Sequence, residues 1–458
     1  MSAVERVTRT LFGRPQSRRR RKHLYVASDL VVVALLIAGC SPAPTLSTRA
    51  ASSPSTSPGT SATPRLESTA GSSGLKQIDQ AALQAMLDNT AKELLIPGAV
   101  ILLRTPQGEF TVTYGTTLLG ATTPPRADTH FAVASNTKTM TAAVIMQLAQ
   151  ENKLSLDDPV SKYVPGVPNG DHITIAQLLN MRSGLYNYSD DPAIWENMDR
   201  NPAKVWSPAQ LLAIAFAHPP NFPPGTAYEY NNTNYALLGL TIEKVGGKPL
   251  AQAMQERLFG PLRLLHTVLP GSAVNSLPEP YSHGYLYGSA SVAMVGTPPY
   301  SPQVQAAARA GTLLPKDYTN LNHSFAAAAG GVVSTANNLA TWIQALVGGR
   351  VLNSTYQHLW LDSPQPEDPS KPDGQQYGYG IAKLHWGSNA MYFHGGEIPG
   401  YNSFMGYDPG NQVTLVVWTN LTVSLDEKQT ANALMLKVLD QIYVVSPLQP
   451  IEGPKPEK

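Results

Sequence analysis

The chain has 458 residues, of which 42% are hydrophobic, and its 33 Lys and Arg residues nearly balance its 32 Asp and Glu residues. The hydrophobic fraction excludes wholesale disorder. The near-zero charge argues against a nucleic-acid partner, and the chain is mildly acidic once its basic first 39 residues are set aside. The single cysteine excludes an intramolecular disulfide and a zinc site built from cysteines.

The first residues of the chain have the parts of a secretory signal. A basic run at 18–22 precedes the apolar residues 30–38, which are too few for a transmembrane helix of about 20 apolar residues. Residues 36–40 resemble the end of a bacterial lipoprotein signal, in which the cysteine carries a diacylglycerol. We therefore expect a signal peptide over 1–39 and a lipid anchor at Cys40, on the extracytoplasmic face of the cell membrane. The alternative is an ordinary signal peptide with an incidental cysteine.

The next segment, residues 40–75, consists mainly of Ser, Thr, Pro, Ala and Gly. Such a composition cannot bury enough apolar surface to offset the entropy of ordering the chain. It predicts a disordered tether. We expect one folded body over 76–445 and a flexible, Pro-rich tail over 446–458.

The folded body shows strand and helix patterns at both ends. A helical pattern at 77–95 is followed by β-rich runs at 99–103 and 110–114, which flank a turn sequence. Near the other end, β-rich runs at 401–407 and 413–419 flank a second turn, and a helical pattern follows at 425–443. The patterns between them are mostly helical, at 136–151, 174–181, 209–216, 235–245 and 334–347. These elements predict an α/β fold, with an antiparallel sheet that the carboxyl-terminal strands complete, flanking helices and an α-rich lobe.

The first candidate for chemistry is Ser135, which precedes a helical pattern and is followed three residues later by Lys138. Residues three apart share a helix face, so the Lys138 amine can reach the Ser135 hydroxyl. A serine hydroxyl needs a base before it can attack, and a lysine with a lowered pKa can serve. The structural alternative is a helix-capping serine beside a solvated lysine.

Two more candidates follow along the chain. Tyr230 and Asn232 lie two apart on a loop before a helix, where a phenol could relay protons and an amide could hold a substrate carbonyl. His394 ends an apolar run and is followed by two glycines, which let a substrate backbone approach a strand edge closely. Alternatively, Tyr230 is a loop tyrosine whose hydrogen bonds are made within the protein and Asn232 forms an Asx turn. His394 could likewise have a purely structural role.

In this order the three elements resemble the serine hydrolases related to class C β-lactamases and D-alanyl-D-alanine carboxypeptidases, a superfamily that includes esterases and D-aminopeptidases. The stretches at 153–160, 173–185 and 329–335 resemble the same superfamily. The resemblance covers roughly residues 77–443 and implies a β-lactamase/transpeptidase-like fold.

The resemblance also implies roles. Ser135 would attack the carbonyl and become acylated, and Lys138 and Tyr230 would share the proton transfers, with the acylation base left open between them. Water would then release the acyl group, without a metal or a cofactor.

The remaining roles concern substrate binding. Asn232 would orient the substrate amide, and the N–H groups of Ser135 and Glu397 would form the oxyanion hole. His394 would bind an anionic or polar end of the substrate beside Gly395 and Gly396.

One departure affects the choice of substrate. Gly395 stands where the superfamily has a threonine, whose hydroxyl would hold a substrate carboxylate. The glycine therefore favours an ester or an uncharged amide as the substrate. The expected location on the extracytoplasmic face of the membrane, where peptidoglycan lies, favours peptidoglycan stem peptides as substrates instead. We therefore expect a monomeric D-Ala-D-Ala carboxypeptidase-like hydrolase. The alternatives are an esterase, a class C-like β-lactamase and a non-catalytic tethered binding lipoprotein.

Overall fold

The computed structural model describes residues 74–294 and 300–447. The expected signal peptide, Cys40, nearly all of the tether and most of the carboxyl-terminal tail lie outside these residues. Within the described part, one eight-stranded sheet has the order β2-β1-β12-β11-β10-β9-β8-β7. Its strands are β1 (Gly98–Thr105), β2 (Gly108–Gly115), β7 (Gln365–Pro366), β8 (Gln376–Tyr377), β9 (Ala382–Trp386), β10 (Asn389–Ile398), β11 (Tyr401–Asp408) and β12 (Val413–Thr419). The short strands β3 (Phe131–Ala132) and β6 (Val333–Ser334), and β4 (Tyr285–Leu286) and β5 (Lys316–Asp317), form two separate pairs.

The sheet joins the two ends of the folded body. β1 is antiparallel to β12, with Ile101 opposite Val417, so the amino-terminal hairpin is closed by a carboxyl-terminal strand. Both predicted hairpins are confirmed. In the second, Asp408 Oδ1 accepts hydrogen bonds from the N–H groups of Gly410, at 2.8 Å, and Asn411, at 3.1 Å. This Asx turn explains why the local sequence was sufficient to predict the reversal.

Helices cover the long strands, and β12 is buried along its whole length. The helices are α1 (Gln80–Leu94), α2 (Thr137–Gln150), α3 (Ile175–Leu179), α4 (Pro192–Arg200), α5 (Pro208–Phe216), α6 (Asn232–Gly246), α7 (Leu250–Met254), α8 (Ala290–Ala293), α9 (Pro302–Arg309), α10 (Ala327–Gly330), α11 (Ala336–Val347), α12 (Ser354–Leu361) and α13 (Thr430–Ile442). Both α11 and α13 pack against β11 and β12, and α1 packs against β2. The α/β fold with an antiparallel sheet and flanking helices is confirmed.

Some predicted helix boundaries were wrong, for reasons of capping. α1 begins after Asp79, whose carboxylate accepts a hydrogen bond from Ala81 N at 2.8 Å, and it ends at Leu95 with a positive φ of 55°. The last helix begins at Thr430 instead of residue 425, because Ser424 and Lys428 hold the preceding residues in a turn. No helix within the described ranges has the length and apolar character needed to cross a membrane.

Candidate active site

Ser135 lies where a short strand turns into a long buried helix. β3 is followed by a 3₁₀ turn over Ala134–Asn136, and α2 continues from Thr137. Ala134 has a φ of +51°, a left-handed conformation that is unfavourable for a residue with a Cβ. The Thr137 hydroxyl donates to Ala134 O at 2.8 Å and holds this turn. The turn thereby presents Ser135, which is half-buried, next to the fully buried side chain of Lys138.

The Lys138 amine lies at the centre of the site. Its Nζ is 3.0 Å from Ser135 Oγ, 2.7 Å from Asn232 Oδ1 and 2.8 Å from Ala329 O. Burial holds the pKa of Lys138 well below its usual range. The group is therefore far more easily deprotonated than a lysine in water.

The three partners of Lys138 differ in what they can do. Asn232 Oδ1 and the Ala329 carbonyl only accept hydrogen bonds, so they occupy two N–H groups of the amine. In the neutral amine, the lone pair is then left facing Ser135 Oγ, whose hydroxyl can donate to it. The geometry therefore suits a neutral lysine that takes the proton of Ser135.

Tyr230 forms the other side of this centre. Its hydroxyl lies beside Ser135, and its ring centroid lies 4.7 Å from Lys138 Nζ. Burial, the largest contribution, raises the pKa of Tyr230 above its ordinary value. Tyr230 is thus a protonated phenol at neutral pH, which can pass a proton on but is a poor primary base.

Asn232 begins α6, and both ends of its carboxamide are engaged. Its Oδ1 accepts from Lys138, while its Nδ2 donates to Ser189 Oγ at 2.9 Å. Asn187 Oδ1 accepts from the Asn232 backbone N–H at 3.0 Å. The side chain is therefore fixed by the protein itself, and its first effect is to position the lysine.

His394 lies in β10 and is buried within the site. Its Nδ1 is 2.6 Å from Gly395 O, and its Nε2 is 3.0 Å from the Tyr377 hydroxyl. The carbonyl only accepts, so Nδ1 carries the proton and Nε2 accepts from Tyr377. Burial, followed by the charge of Lys138, lowers the pKa of His394 to about 3. The imidazole is neutral at physiological pH and supplies no positive charge for an anionic substrate group.

The residues after His394 run along the edge of the sheet nearest to Ser135. β9 pairs with β10 only as far as Phe393, whereas β10 continues to Ile398. A Cβ on Gly396 would lie 2.2 Å from Val133 O, so the strand packs tightly against the segment that precedes the serine. Gly395 has more room, with its nearest atoms 3.8 Å from an added Cβ, and the Glu397 carboxylate accepts a hydrogen bond from Gln429.

The structure brings Ser135, Lys138, Tyr230, Asn232 and His394 together around one centre. Sequence reasoning did not identify several of their partners. These are the Ala329 carbonyl, Ser189 and Tyr377. Residues 329–335 contain Ala329 and resemble the superfamily, but a backbone acceptor has no side-chain signature. Ser189 and Tyr377 carry no local motif that could have indicated their place.

The sequence of this chain matches a known protein family. The family model described as Beta-lactamase matches residues 83–440, which is most of the chain. The protein belongs to the Beta-lactamase family. Solved structures agree with this membership and with the β-lactamase/transpeptidase fold. The relatives of this family are serine acyl hydrolases, so the buried lysine and its serine occur in a fitting scaffold.

Individual relatives of this Beta-lactamase family member differ in their described activities. A D-stereospecific amidohydrolase from Streptomyces sp. is 32% identical, with a TM-score of 0.67, and the match covers 78% of this chain and 98% of that one. The D-amino acid amidase from Ochrobactrum anthropi SV3, solved with D-phenylalanine, is 25% identical, with a TM-score of 0.66 and coverage of 79% and 98%. "Putative penicillin-binding protein PbpX" of Bacillus subtilis is 26% identical over 64% of this chain and 62% of that protein. The chain thus matches about six tenths of this curated relative's length.

Proposed function

We propose that the protein is a serine acyl hydrolase that forms an acyl-enzyme at Ser135. The observation that carries the proposal is the buried Lys138 amine, which has two fixed acceptors and Ser135 Oγ at 3.0 Å. A non-catalytic binding protein would have no need for a buried amine held against a serine hydroxyl, because burying such a group is costly.

The contacts suggest how the proton moves during acylation. Lys138 takes the proton of Ser135 as Oγ forms its bond to the substrate carbonyl carbon. The N–H groups of Ser135 and Glu397 stabilise the resulting oxyanion. Tyr230 gives its proton to the leaving group as the carbonyl-to-leaving-group bond breaks, and the Lys138 ammonium restores the proton of Tyr230.

Deacylation uses the same groups in reverse. Water attacks the acyl carbon as it gives a proton to the neutral Lys138 amine, and the Lys138 ammonium returns a proton to Ser135 Oγ as the bond between the acyl carbon and Oγ breaks and the acid product leaves. The raised pKa of Tyr230 and the lowered pKa of Lys138 favour the lysine as the first acceptor. The choice of base, which the sequence left open, is therefore proposed to fall on Lys138.

For the substrate, we propose an amide or ester of a D-configured aminoacyl group whose leaving group is uncharged. Gly395 offers no hydroxyl to a carboxylate, and His394 is neutral beside Tyr377. The described activities of the Streptomyces amidohydrolase and the Ochrobactrum amidase support the same class. A D-Ala-D-Ala carboxypeptidase is the second candidate, because of the similarity to the Bacillus penicillin-binding relative.

One set of measurements separates these functions. The purified protein is treated with a fluorophosphonate and with a fluorescent penicillin, and hydrolysis of D-phenylalanine amide, an acyl-D-Ala-D-Ala peptide and a p-nitrophenyl ester is compared. Fluorophosphonate labelling that Ser135→Ala abolishes is the expected result, and labelling that persists in this variant would refute the nucleophile. Long-lived penicillin labelling with peptide cleavage would favour the carboxypeptidase, ester cleavage alone an esterase, and rapid penicillin turnover a β-lactamase.

We also propose that the enzyme is held on the extracytoplasmic face of the cell membrane by a lipid on Cys40. The support is the signal-like sequence before this residue. Incorporation of an alkyne-labelled fatty acid into the full chain, and its loss in Cys40→Ser, is the expected result. A chain released as a soluble, unlabelled protein from wild-type cells would contradict the proposal.

A further inference from the structure

One of the two N–H groups proposed to stabilise the oxyanion lies in a peptide that a β11 side chain holds. The Glu397 N–H belongs to the same peptide unit as the Gly396 carbonyl, to which Asn402 Nδ2 donates at 2.9 Å. Asn402 is opposite Glu397 in the pairing of β10 with β11, so this carbonyl points toward β11. In a planar trans peptide the N–H and C=O point in opposite directions. The Glu397 N–H is therefore directed to the other edge of β10, which β9 pairs only as far as Phe393.

The Ser135 N–H is oriented in the same way. Its peptide unit contains the Ala134 carbonyl, to which the Thr137 hydroxyl donates at 2.8 Å and the Thr137 N–H also donates. The Ser135 N–H therefore points away from the first turn of α2. A hydrogen bond to a carbonyl also polarises its peptide, which makes the N–H of that peptide a stronger donor. Each of the two proposed oxyanion donors thus has a side chain behind it that fixes its direction.

A third side chain sets the distance between the two peptides. Ser403 of β11 is opposite Gly396, and its Oγ donates to Val133 O at 3.0 Å. Asn136 Nδ2 donates to the same carbonyl at 3.0 Å and to Ser403 Oγ at 2.8 Å. The hydroxyl of Ser403 therefore both donates to and accepts from the segment that carries Ser135, and it ties this segment to the β10–β11 pair.

The tie has a cost that stability alone does not explain. Asn136 and Ser403 are fully buried, yet Asn136 Oδ1 has no hydrogen-bond partner among the described residues. A buried acceptor without a partner is unusual, because it loses its hydrogen bonds to water and gains none in return. Ala134 has the left-handed φ of +51° in the same turn. An unpaired oxygen and a strained residue beside the nucleophile indicate that this segment is kept for its geometry.

We propose that Thr137, Asn402 and Ser403 are positioning residues that set the oxyanion hole. Thr137 and Asn402 fix the directions of the two N–H groups, those of Ser135 and Glu397, and Ser403 fixes the distance between them. All three side chains belong to residues that are at most 1% exposed, so they act through the backbone and not by contact with the substrate. The inference rests on the proposed hydrolase function and extends it to residues outside the reacting centre.

The test is the second-order rate constant for fluorophosphonate labelling of Ser135, because the phosphoryl oxygen of this probe takes the place of the oxyanion. Removing an entire oxyanion donor typically slows a reaction by about 100-fold to 1,000-fold. A misdirected donor should cost less, so we expect Ser403→Ala and Thr137→Val each to slow labelling by about 10-fold to 100-fold. Thr137→Ser keeps the hydroxyl and should restore most of the wild-type rate.

Asn402→Leu should slow labelling to a similar extent, but this side chain has a second task. Asn402 Oδ1 accepts a hydrogen bond from the Ala431 N–H at 2.8 Å, at the start of α13, so the substitution also removes a helix cap. The melting temperature is therefore measured for every variant. If Asn402→Leu does not fold, Ser403→Ala and Thr137→Val still decide the question.

Two further measurements separate positioning from a general loss of structure. The pH at which labelling is half-maximal follows the deprotonation of Lys138, whose low pKa depends on burial. This midpoint should stay unchanged in Ser403→Ala, whereas a loosened site would hydrate the amine and move the midpoint upward. Thr267→Val is the matched control, because it removes a buried hydroxyl that accepts from Asn338 Nδ2 at 3.0 Å and is hydrogen-bonded to Ser334, outside the serine turn. It should label at the wild-type rate.

The outcomes keep this inference separate from the hydrolase proposal. Labelling of both Ser403→Ala and Thr137→Val at the wild-type rate would leave Ser135 as the nucleophile and overturn the positioning residues. A slow rate that is accompanied by a raised midpoint, by no recovery in Thr137→Ser or by an equal loss in Thr267→Val would overturn them as well. A wild-type protein that the fluorophosphonate does not label would refute the hydrolase and this inference together.

Discussion

The two adjacent glycines of β10 allow a sharp test of how the site is assembled. A Cβ at position 396 would lie 2.2 Å from Val133 O and 2.5 Å from Ser403 Oγ, whereas ordinary contact begins at 3.4 Å. Gly396→Ala therefore has to push β10 about 1 Å away from the segment that carries Ser135. A misplacement of this size can lower a rate by about 100-fold, and overpacking typically costs about 1–3 kcal/mol of stability.

Gly395→Ala is the matched substitution, because its added methyl group meets its nearest atoms at 3.8 Å. We expect a much smaller loss of rate in this variant. The assay is the second-order rate constant for fluorophosphonate labelling of Ser135, with the melting temperature measured in parallel. If both variants fold and label Ser135 equally fast, the close packing of β10 against the serine segment does not control the reaction.

Three further predictions concern single side chains. Lys138→Met keeps an apolar stem but removes the proton acceptor, so labelling of Ser135 should slow by about 100-fold to 10,000-fold. Tyr230→Phe should impair amide hydrolysis more than hydrolysis of a p-nitrophenyl ester, because p-nitrophenolate leaves without a proton; kcat on the two substrates measures this. Asp190→Asn should raise stability at pH 8 and leave it nearly unchanged at pH 4. Burial, and then the nearby Glu229 charge, raises the pKa of Asp190 from 3.8 to about 7. The carboxyl is protonated in both the folded and the unfolded state below pH 4, and the folded state loses stability as the pH rises through 7 and the buried carboxyl ionises. At pH 8 the free energy of unfolding of the variant should exceed that of the wild type by at most about 4 kcal/mol, which urea unfolding at the two pH values measures.

The predictions for Lys138 and Asp190 each have a control in the same chain. Lys437→Met changes a lysine on α13 that donates to Thr90 at 2.9 Å, away from Ser135, and should label normally. Asp373→Asn changes an exposed carboxylate and should give the same unfolding curves as the wild type at both pH values. Equal losses on amide and ester in Tyr230→Phe, or a stability gain in Asp190→Asn at pH 4 as large as at pH 8, would contradict the reasoning.

The sequence predicted the parts of the fold that depend on local chemistry. The hairpin at Asp408 follows from an Asx turn, and the proximity of Ser135 to Lys138 follows from the helical repeat. Helices such as Pro192–Arg200 and Ser354–Leu361 were missed, although each begins with a capping Asp or Asn. Both helices are short, with nine and eight residues, so a helical pattern has little more than two turns in which to repeat.

The electrostatic state of the site could not be predicted in the same way. The charge on His394 depends on burial and on the nearby Lys138. The hydrogen-bond partner of its Nε2 is Tyr377, which is supplied by a two-residue strand without a motif. The low pKa of Lys138 likewise depends on how completely the fold surrounds the amine. Such properties arise from packing between distant segments, and a single sequence does not record them.

The pairing of β1 with β12 has a consequence for biosynthesis. Until the last strands have been made, the first hairpin lacks its neighbour, and the apolar edge of β1 is open to other chains. The serine and lysine are translated early, but β10 emerges from the ribosome some 250 residues later. A chain that ends before β10 and β12 therefore lacks both the strand beside Ser135 and the partner of β1, so its first hairpin keeps an exposed edge that can pair with other chains.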